Sequence, residues 1–149
     1  MDRAAERDLD LLRLDRQVCF GLAVAARNVI ALYRPLLEPM GLTHPQYLVM
    51  LALWERAPRS VGELASVLAL DPGTLSPLLK RLEGAGLITR RRVRGNERSV
   101  AVSLTGEGRD LRARAERIPP AIVEKLGMEL AELEDLRAVL DRVIDAARG

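Results

Sequence analysis

The sequence predicts a mainly helical chain carrying one small β-hairpin, an α+β arrangement. Three observations predict it. Apolar residues recur at helical spacing through most of the 149 residues. Cap signatures, prolines and glycines cut that pattern into separate helices. One stretch alone changes to a period of two: Val100, Val102 and Leu104, with Ala101 and Ser103 between them.

The elements follow in order. Leu11, Leu14, Val18, Leu22, Val29 and Tyr33 mark a helix over 9–34. Leu12 and Phe20 add apolar surface on other faces, so this helix needs cover on more than one side. Arg34-Pro35 should end it, because a residue before proline avoids helical backbone. Thr43 caps a helix over 44–56, with Pro45 in its first turn, and Pro58 stops it. Ser60 and Glu63 have capping-box spacing and open a short helix to residue 68. Asp71-Pro72 opens the next, with Leu75, Leu78, Leu79 and Leu82 on one side, ending at Gly84-Ala85-Gly86. Two short strands fill 87–104, with turn chemistry at Gly95-Asn96. Residues 105–118 return to helix, and Pro119-Pro120 should break it. The last helix is expected over 121–147, from Leu130, Leu133, Leu136, Val139, Leu140, Val143 and Ile144.

Composition excludes several classes. Hydrophobic residues make up 48%, enough for a core built mostly from Leu, Val, Ala and Ile. One cysteine, Cys19, excludes an internal disulfide framework. One cysteine and one histidine, His44, argue against a zinc site, and no glycine-rich phosphate loop is present. Neither a metal nor another cofactor is expected. The N-terminus lacks a signal-peptide pattern, and the uninterrupted apolar run Tyr47 to Trp54 is far too short to span a bilayer. The expectation is a cytoplasmic chain without a membrane segment.

The net charge of +2 is unevenly placed. Residues 1–79 carry eight basic and nine acidic side chains; residues 99–149 carry eight and ten. Residues 80–98 carry seven basic (Lys80, Arg81, Arg90, Arg91, Arg92, Arg94, Arg98) against Glu83 and Glu97, net +5. A charge run is often only a solvated face. Here it overlaps two short helices, a turn and a hairpin, the parts of a winged helix-turn-helix. Residues 44–104 hold this region, with 87–104 as the wing. The second helix, 71–83, would enter the major groove. Thr74 and Ser76 would meet bases or phosphates, and Lys80 and Arg81 would anchor the backbone. Residues of this type also simply cap or solvate a helix turn. Arg90, Arg92, Arg94 and Arg98 would face phosphates from the wing, and Arg98 could enter a narrow minor groove.

Cys19 and Tyr33 lie fourteen residues apart, nearly four helical turns, on about the same face. At ~1.5 Å per residue they are about 20 Å apart and cannot touch within one chain. Two copies crossing antiparallel near Ala26, between small side chains at Ala23 and Ala25, would bring one Cys19 to the other Tyr33. A lone cysteine is also often just a small buried hydrophobe.

Four stretches carry a resemblance: Leu14-Asp15-Arg16-Gln17-Val18-Cys19-Phe20; Leu32-Tyr33-Arg34-Pro35-Leu36-Leu37-Glu38-Pro39; His44-Pro45-Gln46-Tyr47-Leu48-Val49-Met50-Leu51; and Leu70 to Glu83. The chain resembles the MarR family of bacterial repressors, within it the one-cysteine organic hydroperoxide resistance regulators. The likeness covers about residues 14–112; the wing Asn96-Glu97-Arg98 is a weaker match shared by the whole family. It implies a homodimer that binds a pseudo-palindromic operator in double-stranded DNA, with 9–34 and 121–147 as dimerisation helices. It implies that an organic hydroperoxide oxidises Cys19 and releases the operator. One tyrosine that bonds the cysteine from the partner falls on Tyr33. The second falls on His44, where this sequence departs; Tyr47, three residues on, is not taken as its replacement. With no second cysteine, oxidised Cys19 needs a low-molecular-weight thiol or over-oxidises. Histidine titrates near ~6.5 when unperturbed, and a nearby thiolate favours its charged form. The plainer alternative is a histidine that only opens its helix. Two rivals stand beside this reading. One is a MarR-type repressor governed by a small phenolic ligand, with Cys19 incidental. The other is a thiol peroxidase with Cys19 as nucleophile and His44 as base, which would not need a basic wing.

Overall fold

The computed structural model of the chain describes residues 11–93 and 99–148. Seven helices run α1 Val18–Leu37, α2 His44–Glu55, α3 Val61–Leu68, α4 Pro72–Gly84, α5 Gly106–Ala115, α6 Ile118–Leu126 and α7 Leu130–Ala147. Strands β1 Arg59–Ser60, β2 Ile88–Arg92 and β3 Val100–Leu104 form an antiparallel sheet in the order β1-β3-β2.

Local chemistry explains the sharp boundaries in the centre of the chain. Thr43 and Gln46 exchange side chain-to-backbone bonds as a full capping box at the start of α2. Ser60 accepts the Glu63 amide at 3.0 Å to start α3. The box expected there is only half made, because the Glu63 carboxylate pairs instead with Arg56 at 2.8 Å. Asp71 caps α4 through the Thr74 amide at 2.9 Å. Between α3 and α4, Ala69 takes a left-handed conformation at φ 54°. That conformation disfavours a side chain, and it makes the tight corner between the two helices.

The core lies where α2, α3 and α4 meet the sheet. Val49, Met50, Leu53, Leu64, Leu75, Leu79, Leu82, Ile88 and Val102 are each at most 1% exposed. All four leucines expected on one side of α4 are buried. The hairpin pairs Ile88 with Leu104 and Arg92 with Val100, so one face of each strand reaches the core.

Several further expectations need correction. The first helix begins at Val18, and residues 9 and 10 of the expected span lie outside the described residues. The Gln17 side chain donates to the carbonyls of Leu11 (2.8 Å) and Arg13 (3.0 Å), folding the preceding segment into a turn and a 3-10 turn at Leu14–Arg16. The same helix continues through Pro35 to Leu37. Pro35 forfeits its own bond to the carbonyl four residues back, the helix ends two residues later, and a 3-10 turn at Glu38–Met40 follows before Gly41 reverses the chain at φ +71°. Pro119 and Pro120 do not break a helix; they occupy the first turn of α6, where no N–H is needed. The helix expected over 121–147 is two. Gly127, left-handed at φ 62°, ends α6, and a Glu129–Glu132 capping box starts α7. The sheet also has a third strand, β1, pairing Arg59 with Val102.

The outer helices are open. Leu37 is the one buried residue of α1, and α7 buries none. Val18, Phe20 and Ile30 on α1, and Leu130, Leu136, Val139, Val143 and Ile144 on α7, are exposed. By length and composition alone, Val18–Met40 could cross a bilayer, at mean hydropathy 1.2; 6% of its apolar window is buried. Arg27 and Arg34 interrupt it. The same composition suits a helix packed between protein surfaces.

Candidate functional site

Two sets of residues stand out. The first surrounds the junction of α1 and α2. Tyr33, near the end of α1, meets His44, the first residue of α2, with ring centroids 4.8 Å apart in an edge arrangement at 62°. The fold thus brings together two of the three residues singled out from sequence. Their meeting depends on the reversal at Gly41, which folds the start of α2 back on α1. Tyr47 completes the cluster, at 5.8 Å from Tyr33 and 6.3 Å from His44. At 3% exposure, Tyr47 backs the other two rings. Its place was readable: three residues after His44 is the same helix face.

Burial sets the charge of this cluster. It pushes the Tyr33 phenol above its ordinary range. Burial, then the neighbouring Tyr33, does the same to Tyr47. It pulls His44 below 6.5, so the imidazole is neutral at pH 7. At neutral pH, Tyr33 offers an O–H donor and His44 one N–H donor.

Cys19 sits in the first turn of α1, exposed, on the same helix as Tyr33 but about 20 Å away by helical rise. Within one chain the thiol and the Tyr33–His44 pair do not meet.

The second set is the outer side of α4 and the hairpin. With Leu75, Leu78, Leu79 and Leu82 inside, Thr74, Ser76, Lys80 and Arg81 are exposed. The Thr74 hydroxyl donates to Asp71 Oδ2 at 2.8 Å, and this bond together with the Thr74 amide holds the Asp71 carboxyl below the usual range. Thr74 therefore has its single proton committed and retains only acceptor capacity and its methyl group toward a ligand. Arg91 and Arg92 are exposed on β2, whereas Arg90 is engaged with Glu83. Arg94 and Arg98, with the Gly95-Asn96 turn and Glu97, lie outside the described residues. Among the described residues, no group of three or more His, Cys, Asp or Glu side chains could hold a metal ion.

Residues 42–100 match the model of the MarR family. The organic hydroperoxide resistance transcriptional regulator of Bacillus subtilis (strain 168) is 43% identical over 132 residues, covering 89% of this chain and 88% of that protein. The chain belongs to the MarR family. Reduced AbfR bound to DNA superposes with a TM-score of 0.78 at 30% identity, covering 99% of this chain and 97% of that one. Overoxidized AbfR bound to DNA gives 0.72 at 32%, covering 90% and 97%. AbfR is a protein of Staphylococcus epidermidis. The chain is thus a DNA-binding transcriptional regulator with a winged-helix fold, not an enzyme.

Proposed function

We propose that this regulator is a homodimeric repressor that reads organic hydroperoxides through Cys19 and releases its operator when that thiol is oxidised. The observation that carries the reading is the Tyr33–His44 pair on an otherwise uncovered α1, with the exposed Cys19 about four turns away on nearly the same face. A second copy crossing antiparallel would cover α1. It would also set each Cys19 beside the other subunit's two neutral donors. The open apolar face of α7 supplies further surface for that second copy. A relative 43% identical over 132 residues, from Bacillus subtilis, is an organic hydroperoxide resistance transcriptional regulator, which supports this reading.

The chemistry balances with the hydroperoxide as oxidant. The Cys19 thiolate attacks the terminal oxygen of ROOH, an S–O bond forms and the O–O bond breaks. The alkoxide takes a proton and leaves as alcohol, and the cysteine becomes a sulfenic acid, oxidised by two electrons. A low-molecular-weight thiol then attacks that sulfur, an S–S bond forms, and the hydroxyl leaves as water with the thiol's proton. AbfR is bound to DNA in its overoxidized form. That favours the mixed disulfide, bulkier than a sulfinate, as the form that frees DNA here. The added group would part the Tyr33–His44 pair from the sulfur and shift α1.

On the DNA side, Thr74, Ser76, Lys80 and Arg81 of α4 face the major groove, and Arg92 of β2 faces phosphates. A dimer must hold its two α4 helices about 34 Å apart, one helical turn of DNA. A small rotation of α1 against its partner then disturbs both half-sites. A partner of this kind places the protein in the cytoplasm.

The second reading, a small phenolic inducer, is favoured by one feature. A cleft of about 690 Å³ between α2, β3 and α5 is lined by Trp54, Arg56, Arg109 and Arg112. A gel shift on the DNA upstream of the protein's own coding sequence separates the readings. Release by cumene hydroperoxide plus a small thiol, but not by salicylate, supports thiol sensing. Release by salicylate alone, with peroxide ineffective, overturns it.

A further inference from the structure

Arg90 stands apart from the other cations of the basic segment. Its Nε and Nη2 donate to the two carboxylate oxygens of Glu83, at 3.3 and 3.1 Å. This is the forked pairing that guanidinium and carboxylate groups favour. The Arg90 side chain is 28% exposed, against exposed Arg91 and Arg92 beside it. The fork holds the Glu83 carboxyl below its usual range.

Glu83 is otherwise badly placed. It lies in the last turn of α4, where the helix dipole disfavours an anion. It also borders the surface that would face phosphates. Both effects oppose a carboxylate there, so its pairing with Arg90 is the feature that accounts for it.

The pair adds a polar tie between two elements that are also joined at their base. Leu87 N–H donates to Leu82 O at 3.1 Å, and Thr105 Oγ1 donates to Gly86 O at 2.6 Å. These bonds fix the corner at Gly86, whose φ is +77°. Arg90 is three residues beyond Leu87, at the middle of β2, where it pairs with Val102 of β3. Holding Arg90 therefore holds the hairpin well above its hinge.

We infer that Glu83 and Arg90 form a strut that sets the angle between α4 and the hairpin, and that Arg90 positions the DNA-binding surface rather than contacting phosphate. The inference rests on α4 and the hairpin being the elements that meet DNA. The strut predicts a sign opposite to simple electrostatics. Removing the Glu83 charge removes a repulsion toward phosphate and should tighten binding if Arg90 is a phosphate ligand. Under the strut it loosens the hairpin and weakens binding.

The test is fluorescence anisotropy with reduced full-length protein and a duplex from upstream of its own coding sequence, over a range of salt. Glu83→Gln, Arg90→Gln and the double variant are compared with wild type, with circular dichroism and Trp54 emission confirming the fold. The expected result is a loss of about threefold to fivefold for each single variant, the size of one good ion pair, with the double no weaker than either. Binding by Glu83→Gln as tight as wild type or tighter overturns the strut. So does an additive double variant in which Arg90→Gln alone lowers the salt slope by ~0.9. Lys80→Gln serves as the control for the underlying reading: if it leaves affinity and slope unchanged, α4 does not face DNA, and the strut falls for that separate reason.

Discussion

Helices α4 and α7 carry similar patterns and meet different fates. Over its thirteen residues α4 buries Leu75, Leu78, Leu79 and Leu82 against α2, α3 and the sheet. Over its eighteen residues α7 buries nothing, and leaves Leu130, Leu136, Val139, Val143 and Ile144 open. Helix α1 resembles α7 in this respect. The difference teaches that the central half of the chain completes its core from its own residues, whereas the outer helices form a surface that a single copy does not cover. A periodic apolar stripe identifies a helix but not what the stripe packs against.

The comparison breaks most directly at α7. Val139→Asp combined with Val143→Asp places charges on the open face and should split the proposed dimer into folded monomers. Operator affinity should fall by roughly a hundredfold, since binding two half-sites as one unit is lost. Sedimentation and anisotropy together check this; a variant that stays dimeric and binds normally would show that α7 lies outside the interface.

The next effect is on stability and separates the halves by their concentration dependence. Leu79→Ala, in a site 1% exposed, should cost about 2–5 kcal/mol at any protein concentration. Leu136→Ala should lower the melting temperature more at low protein concentration than at high, because in the proposed dimer its partner surface comes from another molecule. Equal shifts at all concentrations would mean that α7 packs within its own chain.

The smallest effect concerns His44. Its folded pKa is depressed below 6.5, so the unfolded chain binds this proton more readily. The stability conferred by keeping the histidine neutral is complete above ~6.5, the unfolded value, and is lost as pH falls through the folded value. Wild type should therefore lose stability relative to His44→Phe when the pH is lowered from 7 to 5, in paired thermal melts. Parallel curves would place His44 in solvent rather than against Tyr33.

Much of the fold was legible because its signals are local. Thr43, Ser60 and Asp71 each cap a helix within three residues of themselves, and the hairpin announces itself by alternation beside a block of arginines. What escaped depends on partners elsewhere or on very short elements. Strand β1 has two residues, too few to show a period. The break at Gly127 lies inside an apolar pattern whose period continues across it. Pro35 looked like a stop because the residue before a proline disfavours helical backbone, yet α1 carries it in its last turn and ends two residues later. At the candidate site, Tyr33 and His44 were identified by resemblance, but their contact arises from the reversal at Gly41, and the backing by Tyr47 from burial. Arg90 shows the opposite lesson: its charge was plain, and its engagement with Glu83 was not.

The central claim is that Cys19 alone converts peroxide into loss of DNA binding. The most direct measurement is operator anisotropy for wild type and Cys19→Ser, each titrated with cumene hydroperoxide in the presence of a small thiol. The account predicts that both reduced proteins bind with the same affinity, that wild type is released at about one equivalent of oxidised thiol per subunit, and that Cys19→Ser stays bound throughout. Release of Cys19→Ser at the same peroxide concentration would contradict it.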